Sequence, residues 1–253
     1  MRVVVTRPAR EARPWAEALR ARGHEVLELP LIDIAPVADA PPLHAAVEQA
    51  ASFRAVMFVS PNAVHGWQAA SSRPWPAGTS AWAPGPGTVA ALQAIGVPPS
   101  QVAAPPADAA QFDSEALWAV VRGSVHAGDR VLLVRGADAD GQPAGRDWLS
   151  DTLRGAGVLV ETVAAYSRRP PAWTDVQRSQ ARDAAADGST WLFSSSQAIE
   201  HLRALLPGQD WSRARAVATH ERIAQAARAL GFPVVSLSRP DRDAVVRALE
   251  SSG

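Results

Sequence analysis

An internal repeat constrains the fold of this chain more than any other feature of its sequence. The stretch 58–64 (FVSPNAV) and the stretch 193–199 (FSSSQAI) share Phe, Ser and Ala at an offset of 135 residues. Offsets of 134 and 135 also bring together Leu19 with Leu153, Gly23 with Gly157, Val26 with Val160, Ala83 with Ala218, Ala91 with Ala226 and Gly96 with Gly231. Matches at a near-constant offset predict two similar halves. Each half opens with a strand, an arginine, a helix, a glycine and a second strand.

Short β-branched runs alternate with longer helical segments along the whole chain. The predicted strands are Arg2–Thr6, Val26–Leu29, Ala55–Val59, Ser80–Ala83, Arg130–Val134, Val158–Ala164, Thr190–Phe193, Ala214–Ala218 and Val234–Leu237. The predicted helices are Ala9–Arg22, Asn62–Ala70, Thr88–Ile95, Ser114–Val121, Asp147–Gly155, Gln197–Leu206, Glu221–Leu230 and Arg242–Glu250. This alternation predicts an α/β fold, and the repeat makes it two similar domains, each a mostly parallel sheet flanked by helices. Two proline-bounded extended stretches, Pro30–Pro36 and Ala164–Pro171, stand at equivalent places and predict a two-stranded linker.

Composition removes several classes of function. The 253 residues include 25 basic and 25 acidic ones, which argues against general binding of nucleic acid or of an anionic membrane. Every basic residue is arginine, so Schiff-base and P-loop lysine chemistry are excluded. The chain has no cysteine, which excludes thiolate catalysis and iron–sulfur clusters. No signal-like or spanning apolar run is present, and we expect a cytoplasmic protein.

Hydroxyls, glycines and arginines follow the predicted strands, where open parallel sheets bind their ligands. Carboxylates are almost absent there, so the lining predicts an anionic ligand with dispersed charges, held partly by helix N-termini. The candidate binding residues are Thr6, Arg7, Ser60, Asn62, Gly85, Gly87, Thr88, Arg135, Gly136, Arg146, Ser195, Ser196, Gln197, Thr219, His220 and Arg222. Some of these residues have a simpler alternative role. Ser60, Ser195 and Thr219 could each be a helix N-cap. Arg7 and Arg135, which follow the first strand of their halves, could form surface ion pairs.

Other motifs are incomplete. The stretch 85–90 (GPGTVA) fits G-x-G-x-x-A, but it does not follow the first strand of its unit and lacks the acidic residue a dinucleotide site needs. The stretch 220–224 (HERIA) lacks the second histidine of a zincin. A flavodoxin-like or receiver module is a further alternative. A receiver would need an acidic cluster at the strand ends and a lysine, and both are absent from the sequence. A flavin-binding module would give a yellow preparation. Tyr166 is the only tyrosine, and it is either a packed hinge aromatic or a phenol available as a hydrogen-bond donor or general acid.

Taken together, these segments resemble the uroporphyrinogen-III synthases. The likeness is carried in order by the stretches 5–8 (VTRP), 29–32 (LPLI), 58–64 (FVSPNAV), 85–88 (GPGT), 133–136 (LVRG) with Gly145 and Arg146, 165–168 (AYSR), 193–198 (FSSSQA) and 218–224 (ATHERIA). The resemblance implies a discontinuous domain from residues 1–34 and 170–253, a second domain from 38–165, and interdomain connections at 30–37 and 164–171.

The resemblance also implies an activity. The family closes hydroxymethylbilane, a linear tetrapyrrole with eight carboxylates, to uroporphyrinogen III with loss of water and inversion of the last pyrrole ring, without metal or organic cofactor. Backbone N–H groups around Ser60–Ala63, Gly85–Thr88 and Ser195–Ala198 would bind carboxylates, so Ala63 and Ala198 join the candidate residues. Tyr166 matches the family tyrosine associated with departure of the hydroxyl, and Thr219 matches a family position near the substrate.

One departure from the family pattern follows the strand that ends at Ala218. The stretch 219–222 (THER) replaces the common Gly-x-x-Thr-Ala, which makes His220 and Arg222 candidates for the missing hydroxyl's role. A non-catalytic, two-lobed binding protein for an anionic ligand is the alternative to the enzyme. We expect a monomer that takes a small-molecule tetrapyrrole, binds neither nucleic acid nor membrane, and makes at most transient contact with hydroxymethylbilane synthase.

Overall fold

The computed structural model describes residues 1–71, 73–109, 111–138, 141–145, 147–239 and 241–250. The chain divides into two units. Unit 1 comprises Met1–Asp33 and Arg169–Gly253, and unit 2 comprises Ile34–Arg168. Each unit has its own sheet and is described separately.

Unit 1 is built around five parallel strands. Its elements are β1 (Arg2–Val5), α1 (Ala9–Arg20), β2 (Glu25–Glu28), α7 (Asp175–Ala186), β10 (Thr190–Phe193), α8 (Ser196–Leu205), β11 (Arg215–Ala218), α9 (Glu221–Leu230), β12 (Val234–Leu237) and α10 (Arg242–Glu250). The strands lie in the order β12-β11-β10-β1-β2, and every pair is parallel. The order reverses between β1 and β10, and such a reversal is where open α/β sheets form a crevice.

Unit 2 has a larger sheet with one antiparallel addition. Its elements are β3 (Asp33–Ala35), α2 (Pro41–Glu48), β4 (Ala55–Phe58), α3 (Pro61–Ala70), β5 (Ser80–Trp82), α4 (Pro86–Ala94), β6 (Val102–Ala103), α5 (Ser114–Val121), β7 (Arg130–Ala137), β8 (Pro143–Ala144), α6 (Trp148–Gly155) and β9 (Leu159–Arg169). The main path is β3-β9-β7-β4-β5-β6, with β8 pairing antiparallel to β7. The pairs of β4, β5, β6, β7 and β9 along this path are parallel.

The two sheets have the same spatial order once the repeat is taken into account. Strands β2-β1-β10-β11-β12 of unit 1 correspond, one by one, to β9-β7-β4-β5-β6 of unit 2. The repeated glycines also match in conformation, since Gly23 and Gly157 both have φ 80° and Gly96 and Gly231 have φ 87° and 114°. Only glycine adopts such left-handed angles readily, and each pair ends a helix. The predicted α/β fold with parallel sheets and flanking helices is confirmed.

Hydrophobic side chains cover both faces of the sheets, as parallel sheets require. In unit 2, Val56 and Phe58 of β4 pack into one cluster, while Ala55 and Met57 of the same strand pack into another on the opposite face. In unit 1, an aromatic group fills one side, with Trp191 and Trp211 in edge contact at 5.2 Å between ring centroids. The strands that carry the candidate residues are therefore packed on both faces, which is what a site built on them needs.

Two helices lie outside the predictions made from the sequence. The first is α2, whose two prolines occupy its first turn, where a missing N–H costs nothing. The second is α7, which begins with a capping box between Thr174 and Gln177 but buries only alanines. Its apolar stripe is therefore too weak to read from hydrophobicity alone. Across the described residues, no helix is long and apolar enough to cross a bilayer.

Candidate functional site

The phenol of Tyr166 lies at the carboxyl end of the unit 2 sheet. Its side chain is buried, and its ring packs over Gly136 on the neighbouring strand β7. A Cβ at position 136 would lie 2.8 Å from Tyr166 Cζ and 3.1 Å from its hydroxyl oxygen. Residue 136 must therefore be glycine for the ring to take this position.

A β-bulge sets the direction of that ring. Strand β9 pairs with β7 at a constant register up to Arg135 opposite Ala164, and then Gly136 stands opposite Tyr166. Ala165 is the extra residue, so the alternation of side chains across the sheet shifts by one at this point. The bulge turns Tyr166 onto Gly136.

Two polar side chains among the described residues lie within hydrogen-bond distance of the Tyr166 hydroxyl. Ser60 Oγ lies 3.1 Å from the phenol oxygen, and Arg168 Nη2 donates to the same oxygen at 3.4 Å. The Arg168 guanidinium also lies 5.8 Å from the centroid of the phenol ring. Because arginine can only donate, the phenol oxygen acts as its acceptor and keeps its own proton for Ser60 or for a ligand.

Ser60 connects this phenol to a helix N-terminus. It is the N-cap of α3, and its Oγ also accepts a long hydrogen bond from Ala63 N at 3.4 Å. Pro61 follows, then Asn62, in the first turn of the helix, where backbone N–H groups point toward the strand ends. Ser60 thus acts as the predicted cap and contacts Tyr166 as well.

The glycine-rich turn after β5 begins the next helix. Gly85 is the N-cap of α4, and Gly87 and the buried Thr88 lie in its first turns. A Cβ on Gly85 would lie 3.1 Å from Cβ of Phe112, an aromatic residue that is 43% exposed. Nothing in the sequence singles out Phe112, because an isolated aromatic in a loop carries no periodic signal.

Arg135 is a buried residue near the end of β7. Its Nη1 donates to Asp147 Oδ1 at 2.7 Å and its Nη2 to Ser150 Oγ at 3.0 Å, so its guanidinium is held by the start of α6. A Cβ added at Gly145 would lie 3.9 Å from Nη1 of Arg135. Arg146, the other arginine predicted here, lies outside the described residues.

In unit 1, Thr6 and Arg7 follow β1. Thr6 is buried and its Oγ1 donates to Leu192 O at 2.5 Å, so its hydroxyl ties β1 to β10. Arg7 lies over the Trp15 ring at 4.3 Å and pairs with Glu11 at 3.7 Å. Burial lowers the pKa of the Arg7 guanidinium from its usual value, and Glu11 opposes that shift. The residue stays charged, as arginine does in proteins.

The N-terminus of α8 offers donors to a ligand. Ser195 is its N-cap but makes no side-chain cap hydrogen bond. Ser196 Oγ is buried and has no hydrogen-bond partner among the described residues. Gln197 and the buried Ala198 complete this first turn. The free N–H groups and the dipole of a helix N-terminus favour an anionic oxygen, which is the reason this turn is a candidate for binding a carboxylate.

The helix after β11 begins one residue later than a Thr219 cap would place it. Its N-cap is His220, whose Nδ1 accepts from Arg222 N at 3.3 Å. Thr219 instead continues the strand pairing through its N–H, which donates to Phe193 O at 3.1 Å. Because the imidazole supplies the acceptor, the threonine hydroxyl is not needed to satisfy the helix. Both His220 and Arg222 are exposed.

The structure thus brings the predicted residues Ser60, Gly136 and Tyr166 into direct contact in unit 2. It gives Thr6 and Arg135 hydrogen-bond partners within the protein, and it leaves Ser196 without one among the described residues. Sequence reasoning notices Arg168 only as a neighbour in the chain, since nothing in the sequence shows that its guanidinium turns back onto the phenol.

Comparison with known proteins identifies the family. Residues 13–247 match the sequence profile described as Uroporphyrinogen-III synthase HemD. A uroporphyrinogen-III synthase of Synechococcus elongatus is 29% identical over 224 residues, which cover 83% of this chain and 77% of that protein.

Solved structures show the same fold at low sequence identity. The uroporphyrinogen-III synthetase of Helicobacter pylori superposes with a TM-score of 0.59 at 15% identity, covering 100% of both chains. A mutant uroporphyrinogen III synthase of the extremely thermophilic bacterium Thermus thermophilus superposes with a TM-score of 0.54 at 17% identity, covering 99% of both.

Proposed function

The chain belongs to the uroporphyrinogen-III synthase family, a family of tetrapyrrole-synthesis enzymes, and we propose that it catalyses the ring closure of hydroxymethylbilane to uroporphyrinogen III. The reaction class is a hydro-lyase, because one water leaves and no other group is exchanged. The observation that carries the proposal is the Tyr166 phenol, held beside Ser60 and Arg168 at the carboxyl end of the unit 2 sheet.

The first chemical step breaks the C–O bond of the terminal hydroxymethyl group. The hydroxyl takes up a proton and leaves as water, and the electron pair of its pyrrole nitrogen stabilises the resulting azafulvene cation. Tyr166 is suited to hydrogen-bond the departing oxygen, since its oxygen accepts from Arg168 and its own O–H remains available.

The remaining steps rearrange carbon–carbon bonds. The substituted carbon of the last pyrrole attacks the cation and forms a spiro intermediate. The bond linking that pyrrole to its former neighbour then breaks and re-forms at the other α-carbon, which inverts the ring, and loss of a proton restores the pyrrole. The protein's main contribution is to hold the chain so that the substituted carbon reaches the cation first.

Substrate carboxylates would bind where the strands end and helices begin. In unit 2 these places are the first turns of α3 and α4, and in unit 1 the first turn of α8, where Ser196 Oγ lacks a protein partner among the described residues. Arg7, His220 and Arg222 add positive charge or donors in unit 1. Several dispersed anchors fit a ligand that carries eight carboxylates.

Product analysis tests the proposal. Hydroxymethylbilane is generated from porphobilinogen by its own synthase, this protein is added, and the oxidised products are separated by chromatography. Uncatalysed closure yields isomer I, so a large excess of uroporphyrin III is expected. Isomer I alone, from protein with a cooperative unfolding transition, would leave the alternative of a non-catalytic protein that binds an anionic ligand.

A further inference from the structure

Helix α3 packs unusually close to strand β9 through Gly66. A Cβ on Gly66 would overlap the carbonyl oxygen of Ala165 and would lie 2.7 Å from its carbonyl carbon. Glycine destabilises a helix interior, so its presence in the middle of α3 needs a reason. The close approach of the helix backbone to Ala165 supplies that reason.

Ala165 is the extra residue of the bulge that directs Tyr166. Helix α3 therefore meets β9 twice: Gly66 lies against the bulge carbonyl, and Ser60 at the start of the same helix contacts the Tyr166 hydroxyl at 3.1 Å. The helix is a stiff rod of about 1.5 Å per residue, so its separation from the strand at Gly66 affects the position of Ser60 about 9 Å away.

The equivalent contact in unit 1 is made in another way. The offset of 135 carries Gly66 to His201 on α8, and the offset of 134 carries Ala165 to Leu31. There the His201 imidazole bridges the gap, because its Nδ1 lies 2.6 Å from Leu31 O, a carbonyl that can only accept. The same carbonyl position thus meets a side chain in unit 1 and bare helix backbone in unit 2.

Tyr166 itself has no counterpart with the same chemistry. The offset of 134 carries it to the buried Ile32, which has no polar group, and Ser195, the equivalent of Ser60, makes no side-chain cap hydrogen bond. The close packing of a helix against this carbonyl therefore occurs only in unit 2, the unit that contains the phenol. In unit 1 the His201 imidazole lies between the helix and the Leu31 carbonyl.

We propose that Gly66 is a positioning residue for the ring-closure reaction: its contact with the Ala165 bulge sets the distance between Ser60 and the Tyr166 phenol. This rests on the proposed function. In this role Gly66 acts through Ala165 on Tyr166, so its effect on turnover depends on the phenol being present.

Gly66→Ala tests this, with Gly155→Ala as its matched control. Gly155 is also helical, and an added Cβ there meets nothing within 4 Å. Kinetics are measured for both variants alone and in a Tyr166→Phe background. Because Tyr166 is the only tyrosine, protein labelled with carbon-13 at tyrosine Cζ gives one NMR signal that reports the phenol's surroundings.

We expect Gly66→Ala to lower kcat about tenfold with KM within about twofold, to shift the tyrosine signal, and to add less than a further twofold loss in the Tyr166→Phe background. Gly155→Ala should change none of these. An unmoved tyrosine signal, or a tenfold loss that persists without the phenol, would overturn the proposal. If the wild-type protein forms only isomer I, the proposed function fails instead, and the NMR signal still decides whether Gly66 positions the phenol.

A second variant covers the case in which Gly66→Ala does not fold. Ala165→Gly loosens the same contact from the strand side without introducing an overlap. We expect it to shift the tyrosine signal and to lower kcat several-fold, again only while Tyr166 is present. A wild-type signal together with wild-type kcat would overturn the role of this contact.

Discussion

At the scale of single residues, the Tyr166 phenol is defined by what its neighbours can and cannot do. Arg168 only donates, Gly136 has no side chain to displace the ring, and Ser60 can either donate or accept. Together they leave the phenol proton directed at Ser60 or at a ligand oxygen. Its chemistry therefore depends on the hydroxyl and not on the ring.

Replacing that hydroxyl alone separates the two contributions. Tyr166→Phe keeps the ring that fills the space over Gly136, so we expect the free energy of unfolding to fall by about 1 kcal/mol or less. Turnover should fall about tenfold to a hundredfold, because a hydrogen bond to the leaving hydroxyl is lost. Steady-state kinetics and urea unfolding measure both, and unchanged kcat would remove Tyr166 from the mechanism.

Asp187 is a second residue whose neighbours define its chemistry, here for stability. Burial raises the pKa of its carboxyl, but hydrogen bonds from Ser189 and from Arg2 outweigh this and lower the pKa overall. Arg2 Nη1 donates at 2.7 Å and Ser189 N at 2.9 Å. These bonds tie the start of β1 to the turn before β10.

A lowered folded-state pKa means that this carboxylate stabilises the protein above its unfolded value of about 3.9 and loses that effect as pH falls through the folded value. Asp187→Asn should therefore cost about 1 kcal/mol at pH 7, a figure kept small because the side chain is 38% exposed. The difference from wild type should shrink below about pH 4 in urea unfolding. Asp183→Asn, at an exposed position on the preceding helix, is the control and should change the free energy of unfolding at pH 7 by about 0.5 kcal/mol or less. A pH-independent difference for Asp187→Asn would contradict the assignment.

At the scale of elements, the repeat is reproduced in detail. Helices α3 and α8 begin and end at residues separated by the same offset of 135, as do the buried positions Ala63 and Ala198. What differs is how each helix contacts the backbone carbonyl at the matching position, which is Leu31 in unit 1 and Ala165 in unit 2. In unit 1 the contact is the hydrogen bond between His201 and Leu31.

That hydrogen bond should contribute measurably to unit 1. His201→Ala leaves the Leu31 carbonyl without its donor, and we expect the free energy of unfolding to fall by about 1 to 2 kcal/mol. Glu200→Ala, at the exposed neighbouring position of the same helix, is the control and should change stability by about 0.5 kcal/mol or less. Equal effects of the two substitutions in urea unfolding would show that the His201 contact contributes nothing.

At the scale of the whole molecule, the net charge and the local distribution of charge lead to different expectations about binding. The chain is neutral overall, with 25 residues of each sign, yet the strand ends present arginines, hydroxyls and helix N-termini with few carboxylates. Neutrality avoids general attraction to polyanions. The proposal of a polyanionic substrate rests on this local placement and not on the net charge.

Salt should therefore weaken substrate binding more than it slows the chemistry. Raising ionic strength from about 0.05 M to about 0.5 M shortens the screening length to a few ångströms. We expect KM for hydroxymethylbilane to rise several-fold while kcat stays within about twofold. A KM independent of salt, measured with the isomer assay, would argue against carboxylate anchoring by charge.

Much of this organisation could be predicted because it is encoded locally. Strand and helix positions follow from apolar periodicity, and the duplication follows from matching residues at fixed offsets. Ser60, Gly136 and Tyr166 stand out as polar or small residues just beyond the predicted strands, although β7 and β9 continue through Gly136 and Tyr166. Helix α7 was not predicted, because its buried face consists only of alanine and gives a weak apolar periodicity. A local pattern is visible when its residues differ strongly in hydrophobicity.

The sequence by itself thus determined the α/β class, the twofold repeat and the residue types at the strand ends. Only the tertiary structure decided which of those residues touch. The bulge at Ala165, the turn of Arg168 onto the phenol, the burial of Arg135 against Asp147 and the approach of Gly66 to the bulge depend on how closely two backbones pack. Gly66 and Ala165 are far apart in the chain, and no periodicity records a distance between them. Their contact follows from packing the complete core, and packing sets the geometry on which the phenol's chemistry depends.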